Sequence, residues 1–543
     1  MQNKTNTVSG HKALVRVYRF VSALRLSCSH IGASLLLTFA LGFVIASTGM
    51  GATLTWVGDD ISNLWDINTS QNWHDGSGAS VYNDGDAVTL DDSGSATPDI
   101  DLAAAVAPAS VTVDNTDKPY TIAGAGALTG TMPLNKSGTN TLSLKTANTF
   151  SGVVTVTGGI LEFAPPSDVT MANMFTDTGG IGFRKSGEKK LTISGTSRTN
   201  NNYYCGWVVV DGGTLQFGTS TSVTYPGFYR ATSYTVNSGT VLEIIAQTAM
   251  NVSAPLIVNG GTVRSTGYNP IGPLTLNGGI LEAVNGLNGT YRAIGLNGHV
   301  TVDGSEPSII RQAGSSNPGI HLAVGTGTRI KTFNVADVTG DADADLTVSA
   351  ILRDSQTSAV CGLTKTGAGT MVMSADSIYT GTTTVNDGTL LVSGSLVSPT
   401  VNVNDGGTLL VSGSSPLPSA TITIASNGTF GAAGAVATSV NHLTFAEGSK
   451  VSWTYDGTAN TAGVVHVTGT LTLPTEATID LSGTGALRSG QVLFSAADGT
   501  VDGATDLSGW TIDNAPEKTS AKVVLVDKQV VLNVFRGTLI KVF

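Results

Sequence analysis

The sequence predicts an all-β protein whose fold is a right-handed parallel β-helix, or β-solenoid. Three observations favour this fold class. A strand–turn–strand unit recurs along the chain, its turns return about every twenty residues, and no helical periodicity of useful length follows residue 52. Parallel strands without crossover helices favour a solenoid over an α/β fold.

The recurring unit consists of alternating apolar residues, then Asn or Asp with Gly, and then Thr or Ile before an apolar pair, as in VTVTGGILEF. Alternation with period two fits a strand with one buried face. Asn, Asp and Gly tolerate positive φ, so we expect a sharp turn between two strands. The turn-defining glycines are Gly159, Gly213, Gly239, Gly261, Gly279, Gly388, Gly407 and Gly428.

The spacing of these turns distinguishes a solenoid from an array of hairpins. From Gly239 to Gly261, and again from Gly388 to Gly407, the turn returns after about twenty residues. A hairpin array would show a turn about every 8–12 residues. Coils that stack about 4.8 Å apart would number about 24 and form a rod of about 115 Å.

The first 52 residues are typical of a secretory signal peptide. They carry five basic residues and no acidic residue, then an uncharged apolar run at 31–47, and then small residues. We expect cleavage after Gly51 or Ala52. The alternative is a retained transmembrane anchor, although the apolar run is at the short end for crossing a bilayer. Both alternatives place residues 53–543 outside the cytoplasm, in the medium or on the bacterial cell surface.

The charge balance excludes some partners. The full chain has a net charge of −11, and without the five basic residues of the first 52, 23 basic and 39 acidic residues leave −16. An acidic surface repels phosphate backbones and anionic lipids. We therefore expect no nucleic-acid partner, membrane contact only during export, and a monomer.

The three cysteines do not form a disulfide framework. Cys28 lies in the expected signal peptide, which leaves Cys205 and Cys361, far apart in the sequence. Two buried thiols and a disulfide between them are both open alternatives at this point.

A second pattern, Leu-x-Lys-x-Gly-x-x-x-Leu-x-Leu with some substitutions, occurs three times. The copies are 134–144 (LNKSGTNTLSL), 183–193 (FRKSGEKKLTI) and 363–373 (LTKTGAGTMVM). Their defining residues are Lys136, Gly138, Lys185, Gly187, Lys365 and Gly367. The third copy continues into another turn unit, TTVNDGTLLVSG, so the two patterns belong to one repeat.

This combined repeat resembles the autotransporter-associated β-strand repeat, also called the passenger-associated transport repeat, of bacterial surface proteins. The resemblance implies a pertactin-like parallel β-helix passenger and secretion across the outer membrane. It implies no active site. The membrane β-barrel that ends an autotransporter is not expected here, because it needs at least eight strands of about ten residues, and residues 521–543 supply two or three.

The repeats suggest four segments. We expect a signal peptide at 1–52, a Trp-rich N-terminal cap with the first coils at 53–133, the repeat-bearing β-helix at 134–469, and the last coils with a C-terminal cap at 470–543. The stretch 280–363 has weak repeat signals and could carry a protruding loop or subdomain.

Three tryptophans lie close together in the expected N-terminal cap, at Trp56, Trp65 and Trp73. Large aromatic side chains close the end of a small core efficiently, so we expect them to plug the first coil. The alternative is an exposed platform for carbohydrate.

The chain lacks the usual sequence motifs of hydrolases, nucleotide-binding proteins and zinc sites. Five histidines beyond residue 52 are scattered without metal-ligand spacing, namely His74, His299, His321, His442 and His466. We expect no catalytic residue, no cofactor and no metal.

Acidic residues supply the sharpest candidates for chemistry. Three aspartates alternate at Asp341, Asp343 and Asp345, and a strand would place them on one face where they could hold calcium. A solvated edge is the preferred interpretation. The pairs Asp84/Asp86 and Asp91/Asp92 are candidates for a glycosidase pair, although acids in Asp-Gly turns usually serve the turn.

Three functions fit these observations. We favour a non-enzymatic exported scaffold for adhesion, with an unidentified glycan or matrix protein as ligand. The alternative is a polysaccharide lyase or glycoside hydrolase on the same fold, which should show Asp with Arg or Lys on consecutive coils. The third is a purely structural surface stalk. Fold alone does not decide between them.

Overall fold

The computed structural model describes residues 51–177, 181–195, 206–222, 228–286, 290–314, 316, 319–357, 359–517 and 519–536. All regular secondary structure in these residues is β-strand. No helix of the described residues is long and apolar enough to cross a membrane. Residues 1–50 lie outside the described residues, and they include Cys28 and all but the last two residues of the expected signal peptide. Cys205 also lies outside the described residues.

One sheet, called sheet 2 here, runs through nearly the whole described chain. Its neighbouring strands are parallel throughout. They are Leu64–Trp65, Asp99–Leu102, Tyr120–Ala123, Thr141–Leu144, Ile160–Phe163, Gly182–Lys185, Trp207–Val210, Ser233–Val236, Leu256–Asn259, Leu274–Asn277, Val300–Val302, Arg329–Val335, Cys361–Thr366, Thr383–Val385, Thr400–Val403, Leu417–Ile424, Ala437–Phe445, Thr470–Leu473 and Thr500–Gly503.

Two further parallel sheets flank sheet 2. Sheet 1 serves the early coils and contains Thr53–Trp56, Ala87–Asp91, Ser110–Asp114, Leu134–Ser137, Val154–Val156 and Phe175–Asp177. Sheet 3 serves the later coils and contains Val169–Met171, Lys190–Ile193, Thr214–Phe217, Val241–Ile244, Thr262–Ser265, Ile280–Ala283, Ser308–Gln312, Ala344–Val348, Thr370–Met373, Gly388–Val392, Gly407–Val411, Thr429–Ala432, Ser449–Asp456, Ala477–Thr484 and Thr511–Asp513.

Two short parallel sheets complete the coils. One pairs Ala105–Val106 with Ala127–Leu128. The other, called sheet 4, stacks Asn269–Ile271, Ile294–Leu296, Ile320–His321 and Leu352–Arg353. The predicted parallel β-helix is therefore confirmed, and each coil contributes strands to two or three sheets.

The coils are fewer than the 24 expected, because they are not uniform in length. Sheet 2 has twenty-one parallel strands among the described residues, and the nineteen listed above belong to successive coils. Thr383 pairs with Val401, whereas Val302 pairs with Val335, so the second of these coils is nearly twice as long as the first. The long coils fall within 280–363, where the described residues continue the sheets and form part of sheet 4. The weak repeat signal there reflects longer coils rather than a separate subdomain.

The core follows the period-two pattern that the sequence shows. Val401 and Val403 are fully buried while Asn402 between them faces outward. A chain of phenylalanine rings fills the middle coils, with Phe163 and Phe183 stacked at 5.6 Å. A single coil cannot bury its apolar face alone, so stacking of coils creates the core.

Antiparallel strands close both ends of the stack. At the N-terminal end, Trp73–His74 pairs with the first strand of sheet 1 and with Ala79–Ser80. At the C-terminal end, Thr519–Val526 and Gln529–Arg536 form a hairpin that pairs with Gln491–Ser495. Two more strands, Thr461–Ala462 and Val464–Val467, lie beside the last coils. Parallel coils already begin at Thr53, so the segment 53–133 contains coils as well as the cap.

Candidate functional site

The lysines of the second sequence pattern are buried, and each binds backbone oxygens of two consecutive coils. Lys136, Lys185 and Lys365 are 1%, 0% and 0% exposed. In each copy the ammonium group donates three hydrogen bonds. Two go to the backbone carbonyls of the two residues that follow the lysine, and the third goes to a backbone carbonyl of the next coil. We call this arrangement the lysine staple.

The geometry of the staple is the same in all three copies. The third acceptor is the carbonyl of Gly158, Gly212 or Asp387, at 3.1, 2.9 and 3.1 Å from Nζ. The residue that follows each acceptor is a turn glycine with positive φ, namely Gly159, Gly213 and Gly388. The lysine of one coil therefore fixes the turn of the next.

Burial also changes the acidity of these lysines. Removal from water lowers the pKa of Lys136, Lys185 and Lys365 to about 8 each. The sequence carries a signal for this burial. In Leu134-Asn135-Lys136 the lysine comes two positions after a buried leucine, so strand alternation directs it to the inner face.

The turn glycines fall into two groups. Gly159, Gly213, Gly239 and Gly388 have positive φ, as do Gly138, Gly187 and Gly367 of the second pattern. Gly261, Gly279, Gly407 and Gly428 do not, and the positive φ falls one position earlier, at Gly260, Gly278, Gly406 and Asn427. In these four turns the left-handed residue is therefore the one that precedes the named glycine.

The second group is glycine because neighbouring coils approach too closely for a side chain. A Cβ at Gly261 would lie 2.6 Å from the carbonyl oxygen of Asn237 and 2.8 Å from Val236 Cγ1. A Cβ at Gly428 would lie 2.9 Å from the carbonyl oxygen of Val403. Both groups of glycines thus serve the same corner of the coil for different reasons.

The asparagines of the turn unit form ladders between coils, which sequence reasoning missed. The Asn259 amide donates to Asn237 Oδ1 at 3.0 Å, and the Asn404 amide donates to Asn386 Oδ1 at 2.7 Å. None of these four asparagines has positive φ. An asparagine recurs at the same position of successive turn units, and this recurrence could have predicted stacked amides.

The three N-terminal tryptophans close the core and are not a platform. Trp56, Trp65 and Trp73 are each 0% exposed. Trp73 packs edge-to-face against both others with ring centroids 5.0 Å apart, and Tyr82 joins them. The carbohydrate-platform alternative is therefore wrong, since no ring face is open to a sugar.

The acidic pairs near the N-terminus serve backbone groups. Asp86 is 5% exposed and accepts hydrogen bonds from the amides of Ala52 and Asn83 at 2.7 and 2.8 Å. Asp84 accepts from the Ala107 amide at 2.7 Å. Asp92 accepts from three successive amides of the next coil, beginning with Thr116, and these bonds lower the pKa of its carboxyl group. These contacts favour turn chemistry over a glycosidase pair.

The Asp341, Asp343 and Asp345 carboxylates do not share a strand face. The strand begins at Ala344, so Asp341 and Asp343 precede it. Asp345 is fully buried, and its oxygens accept the amides of Val338, Thr339 and Thr370 at 2.8, 2.9 and 2.6 Å. Burial alone would raise its pKa, but these hydrogen bonds lower it. The alternative of three carboxylates on one strand face is therefore wrong, and the preferred solvated position holds for Asp341 and Asp343 but not for the buried Asp345. No group of metal ligands occurs among the described residues.

Cys361 is a buried thiol that donates to the Ala359 carbonyl oxygen at 3.3 Å. It forms no disulfide with a described residue. The possible pairing with Cys205 lies outside the described residues.

A cleft beside sheet 4 brings basic residues of consecutive coils together. Its volume is about 330 Å³. The lining residues are Thr290, Arg292, His321, Arg353, Asp354, Ser355, Gln356 and Ile378. His321 pairs with Arg353 in the sheet register, and with Gly295 on the other side. The sequence did not predict this cleft, because Arg292, His321 and Arg353 belong to different coils and lie far apart along the chain.

His321 holds the cleft together. It is 4% exposed, and its Nδ1 lies 2.5 Å from the Asp354 carbonyl oxygen, to which it donates when neutral. Its Nε2 accepts the Arg292 amide at 3.3 Å. Burial lowers the pKa of His321, and the charges of Arg292 and Arg353 lower it further, against the carbonyl oxygens of Asp354 and Thr290, which raise it. The imidazole thus links three coils.

The fold and the stapled turns define a repetitive parallel β-helix. A model of the passenger-associated-transport-repeat family matches residues 134–163, 183–217 and 363–392. The chain carries this repeat three times, as its resemblance predicted. Each matched segment contains one staple lysine and the turn that it holds. No curated protein and no solved structure matches the chain.

Proposed function

We propose that the protein is an exported passenger-type β-helix that mediates contact between the bacterial surface and its surroundings without catalysis. The passenger-associated repeat, found three times in a parallel β-helix, carries this proposal. The matching family model describes a repeat associated with transported passenger domains, which supports export to the surface or the medium. The apolar run at 31–47 after five basic residues supports entry by a signal peptide.

The outward face of the rod supports a contact role. Outward positions of the strands are polar and short, as at Thr384 and Asn402, and they repeat along many coils. Solenoids use such extended surfaces for binding. The described acidic groups considered for catalysis serve the backbone, which supports a scaffold rather than a hydrolase.

One observation favours the enzyme alternative. The cleft beside sheet 4 brings the carboxylate of Asp354 together with Arg353 of the same coil and with Arg292 of the coil two before it, a cluster of acidic and basic groups that resembles the one expected of a polysaccharide-active enzyme. Hydrolysis of a glycosidic bond needs two carboxylates about 5–10 Å apart. Among the described residues that line this cleft, Asp354 alone has a carboxylate, and it accepts the amides of Cys361 and Thr380 at 2.8 and 3.1 Å. The cleft thus fits binding better than hydrolysis.

Fractionation of producing cells tests the proposal. We expect the mature protein in the medium or on the outer surface, accessible to protease on intact cells, with an N-terminus near Thr53. A Leu36→Arg substitution interrupts the apolar run with a charge and should retain the protein inside the cell, while Leu36→Ile should not. Cytoplasmic protein with Met1 intact would overturn the proposal.

Contact is tested with the secreted protein on beads. Beads that carry the folded protein should adhere to glycan- or matrix-coated surfaces, and beads that carry the heat-unfolded protein should not. Equal adhesion of both would contradict a contact role. Breakdown of a polysaccharide by the purified protein would contradict the absence of catalysis.

A further inference from the structure

We propose that an outward face of sheet 2, formed by threonine-rich strands of the later coils, binds ice. Ice would be a further ligand of the rod, beyond the proposed function, and its binding does not depend on export. The strands that form this face are Thr383–Val385, Thr400–Val403, Leu417–Ile424, Ala437–Phe445, Thr470–Leu473 and Thr500–Gly503.

One column of outward side chains crosses five consecutive strands. Its members are Thr400, Thr421, His442, Thr470 and Thr500. Thr400 pairs with Thr421, and Thr421 pairs with His442. His442 Nδ1 accepts the Thr470 amide at 2.9 Å. Thr470 pairs with Thr500, whose hydroxyl donates to Thr470 Oγ1 at 3.1 Å. The side chains of neighbouring coils therefore lie side by side.

A second column lies two residues away on the same face of the sheet. Its members pair in register from strand to strand, and they are Thr384, Asn402, Thr423, Thr444 and Thr472. Ile422, between Thr421 and Thr423, is fully buried, so the two threonines project from the same side of their strand. Eight of the ten positions are threonine, and we call the two columns together the threonine face.

The threonine face is a nearly rectangular array of hydroxyl and methyl groups. Members of one column are about 4.8 Å apart, which is the spacing of adjacent strands. The two columns are about 6.6 Å apart, which is twice the rise of one residue in a parallel strand. Pairing within the face is regular, because the register shift between two of its strands falls before Thr421.

The two spacings of this array suit ice. Oxygen atoms repeat at nearly these two distances on the prism faces of hexagonal ice. Water molecules that bind to successive hydroxyl groups are therefore held close to the positions that they occupy in the crystal. Ligands without such a repeat gain nothing from the regularity of the array.

The chemistry of threonine also favours ordered water. Its branched Cβ restricts χ1, so neighbouring side chains can share one rotamer at little entropic cost. The methyl group orders the water around it, and the hydroxyl group forms hydrogen bonds with that water. Thr421 and Thr423 are exposed, so both groups are accessible to solvent.

The threonine face carries no carboxylate, ammonium or guanidinium group. Its two residues other than threonine are Asn402 and His442. A compact charge such as an ammonium group is strongly hydrated and orients water around itself, which disturbs an ice-like layer. In the second column, Thr472 pairs with Asp502, so the uncharged array ends at that strand.

Earlier coils of sheet 2 do not continue the array. Glu162 and Arg184 pair at outward positions, and Arg184 pairs with Val209 in the next coil. Thr235 follows, and it lies between Val209 and Ile257 in the register. Thr235 is thus an outward threonine of the same sheet without a threonine beside it in its column, which makes it a suitable control.

Sheet 3 provides a second contrast. Thr389, Thr408 and Thr429 pair in register, and this column continues into Lys450. The next outward position on the strand of Thr408 is Leu410, so a second hydroxyl column does not accompany the first. The two-column array is therefore a feature of sheet 2 in these coils.

A saccharide suits the threonine face less well than ice does. Sugars bind in concave sites and pack against aromatic rings. The threonine face is an extended strip of small side chains, and none of its ten positions is Trp, Tyr or Phe. Its regular repeat favours a crystalline ligand.

Slow growth of a single ice crystal in a solution of the purified protein tests the proposal without any variant. We expect the folded protein to shape the crystal into facets, to delay its growth just below the melting point and to be incorporated into the ice. The heat-unfolded protein should do none of these. Round crystals that grow without delay and exclude the folded protein would overturn the proposal.

Paired variants locate the ice-binding surface. Thr423→Lys places a charge in the middle of the threonine face and should remove most of the incorporation into ice. Thr235→Lys makes the same change on the same sheet outside the face and should leave incorporation unchanged. Thermal unfolding of both variants shows whether the fold is retained.

Two results with folded variants would contradict this assignment. Equal incorporation of both variants and the wild-type protein would show that ice binds elsewhere. If Thr423→Lys instead removes adsorption to a glycan-coated surface and leaves incorporation into ice unchanged, the threonine face binds a saccharide.

The two proposals fail in distinguishable ways. Incorporation into ice of a protein found in the cytoplasm would contradict export and leave the ice-binding assignment intact. Export of a protein that ice excludes would leave the passenger role and remove the ice-binding assignment.

Discussion

Each staple lysine donates hydrogen bonds to three backbone carbonyls, two in its own coil and one in the next. Lys365 shows the arrangement most compactly, with Nζ 3.1, 2.6 and 3.1 Å from the oxygens of Thr366, Gly367 and Asp387. An ammonium group has three N–H donors, so the three acceptors match its capacity. The repeat needs lysine at this place because arginine is planar and cannot direct its donors to one such cluster of oxygens.

Replacement of a staple lysine is expected to destabilise the helix. Lys365→Met keeps the length of the side chain but leaves three acceptors without a donor, and should lower the free energy of unfolding by about 2–3 kcal/mol. Lys450→Met, at an exposed position, should change it by about 0.5 kcal/mol or less. Urea denaturation followed by circular dichroism measures both. If both variants lower the free energy of unfolding by a similar small amount, the staple does not stabilise the helix.

The staples also predict a pH dependence. Burial lowers the pKa of the three lysines to about 8, from 10.5 in the unfolded chain. Between these values the unfolded chain binds more protons than the folded protein, so the free energy of unfolding should rise with pH. The triple variant Lys136→Met, Lys185→Met and Lys365→Met should lack this part of the rise. If the free energy of unfolding changes with pH at the same slope in the variant and the wild-type protein between about pH 8 and 10.5, the lysines do not cause this pH dependence.

At the scale of the residue, the sequence identified the important positions but did not predict the hydrogen bonds that their side chains make. It marked Lys136, Lys185 and Lys365 as repeat-defining, but their hydrogen bonds depend on which turn the next coil places beside them. The amide ladder of Asn237 and Asn259 was hidden for the same reason. Spacing along the chain does not tell which side chains meet across coils.

The turn is the element that sets the register between coils. Gly388 follows the staple acceptor Asp387 and has φ +61°, and a Cβ there would lie against the carbonyl of Gly367 and 2.6 Å from that of Gly369. Gly239 has a similar φ of +72°, but a Cβ there would meet nothing within 4 Å. Both glycines have a left-handed backbone conformation, but only Gly388 lacks room for a side chain.

This difference gives a paired prediction. Gly239→Ala should cost about 1–2 kcal/mol of stability from the left-handed conformation alone. Gly388→Ala should cost about 1–3 kcal/mol more, since the methyl group also forces two coils apart. Thermal and urea unfolding of both variants compare the costs, and equal destabilisation would show that packing between turns is unimportant.

At the scale of the element, the sequence located turns to within one position. At Gly261 and Gly407 the sequence did not tell which of two adjacent residues takes the positive φ, because that depends on which one faces the neighbouring coil. It also failed to predict sheet 4 and its cleft. Very short strands, such as Ile320–His321, give no alternation signal.

The whole molecule depends on stacking between coils rather than on any one coil. Of 53 described strands, all but five near the two ends pair in parallel with a strand of a neighbouring coil. The fold class was predictable because the same unit recurs so often. The number of coils was not, because the coils between 280 and 363 are longer than the repeat that defined the period.

The register of consecutive coils is the claim on which the staples, the ladders and the cleft all depend. Thr364, Thr384 and Asn402 occupy one outward-facing ladder on three consecutive strands of sheet 2. Adjacent members are about 4.8 Å apart, within the range of Cα separations that a disulfide spans, about 4.4–6.8 Å. Members two coils apart are too distant.

The most direct test is therefore oxidation of paired cysteine variants, with peptide mapping by mass spectrometry. We expect a disulfide in Thr364→Cys/Thr384→Cys and in Thr384→Cys/Asn402→Cys, and none in Thr364→Cys/Asn402→Cys. A disulfide in the last pair, or none in the first two, would contradict the stacked parallel β-helix.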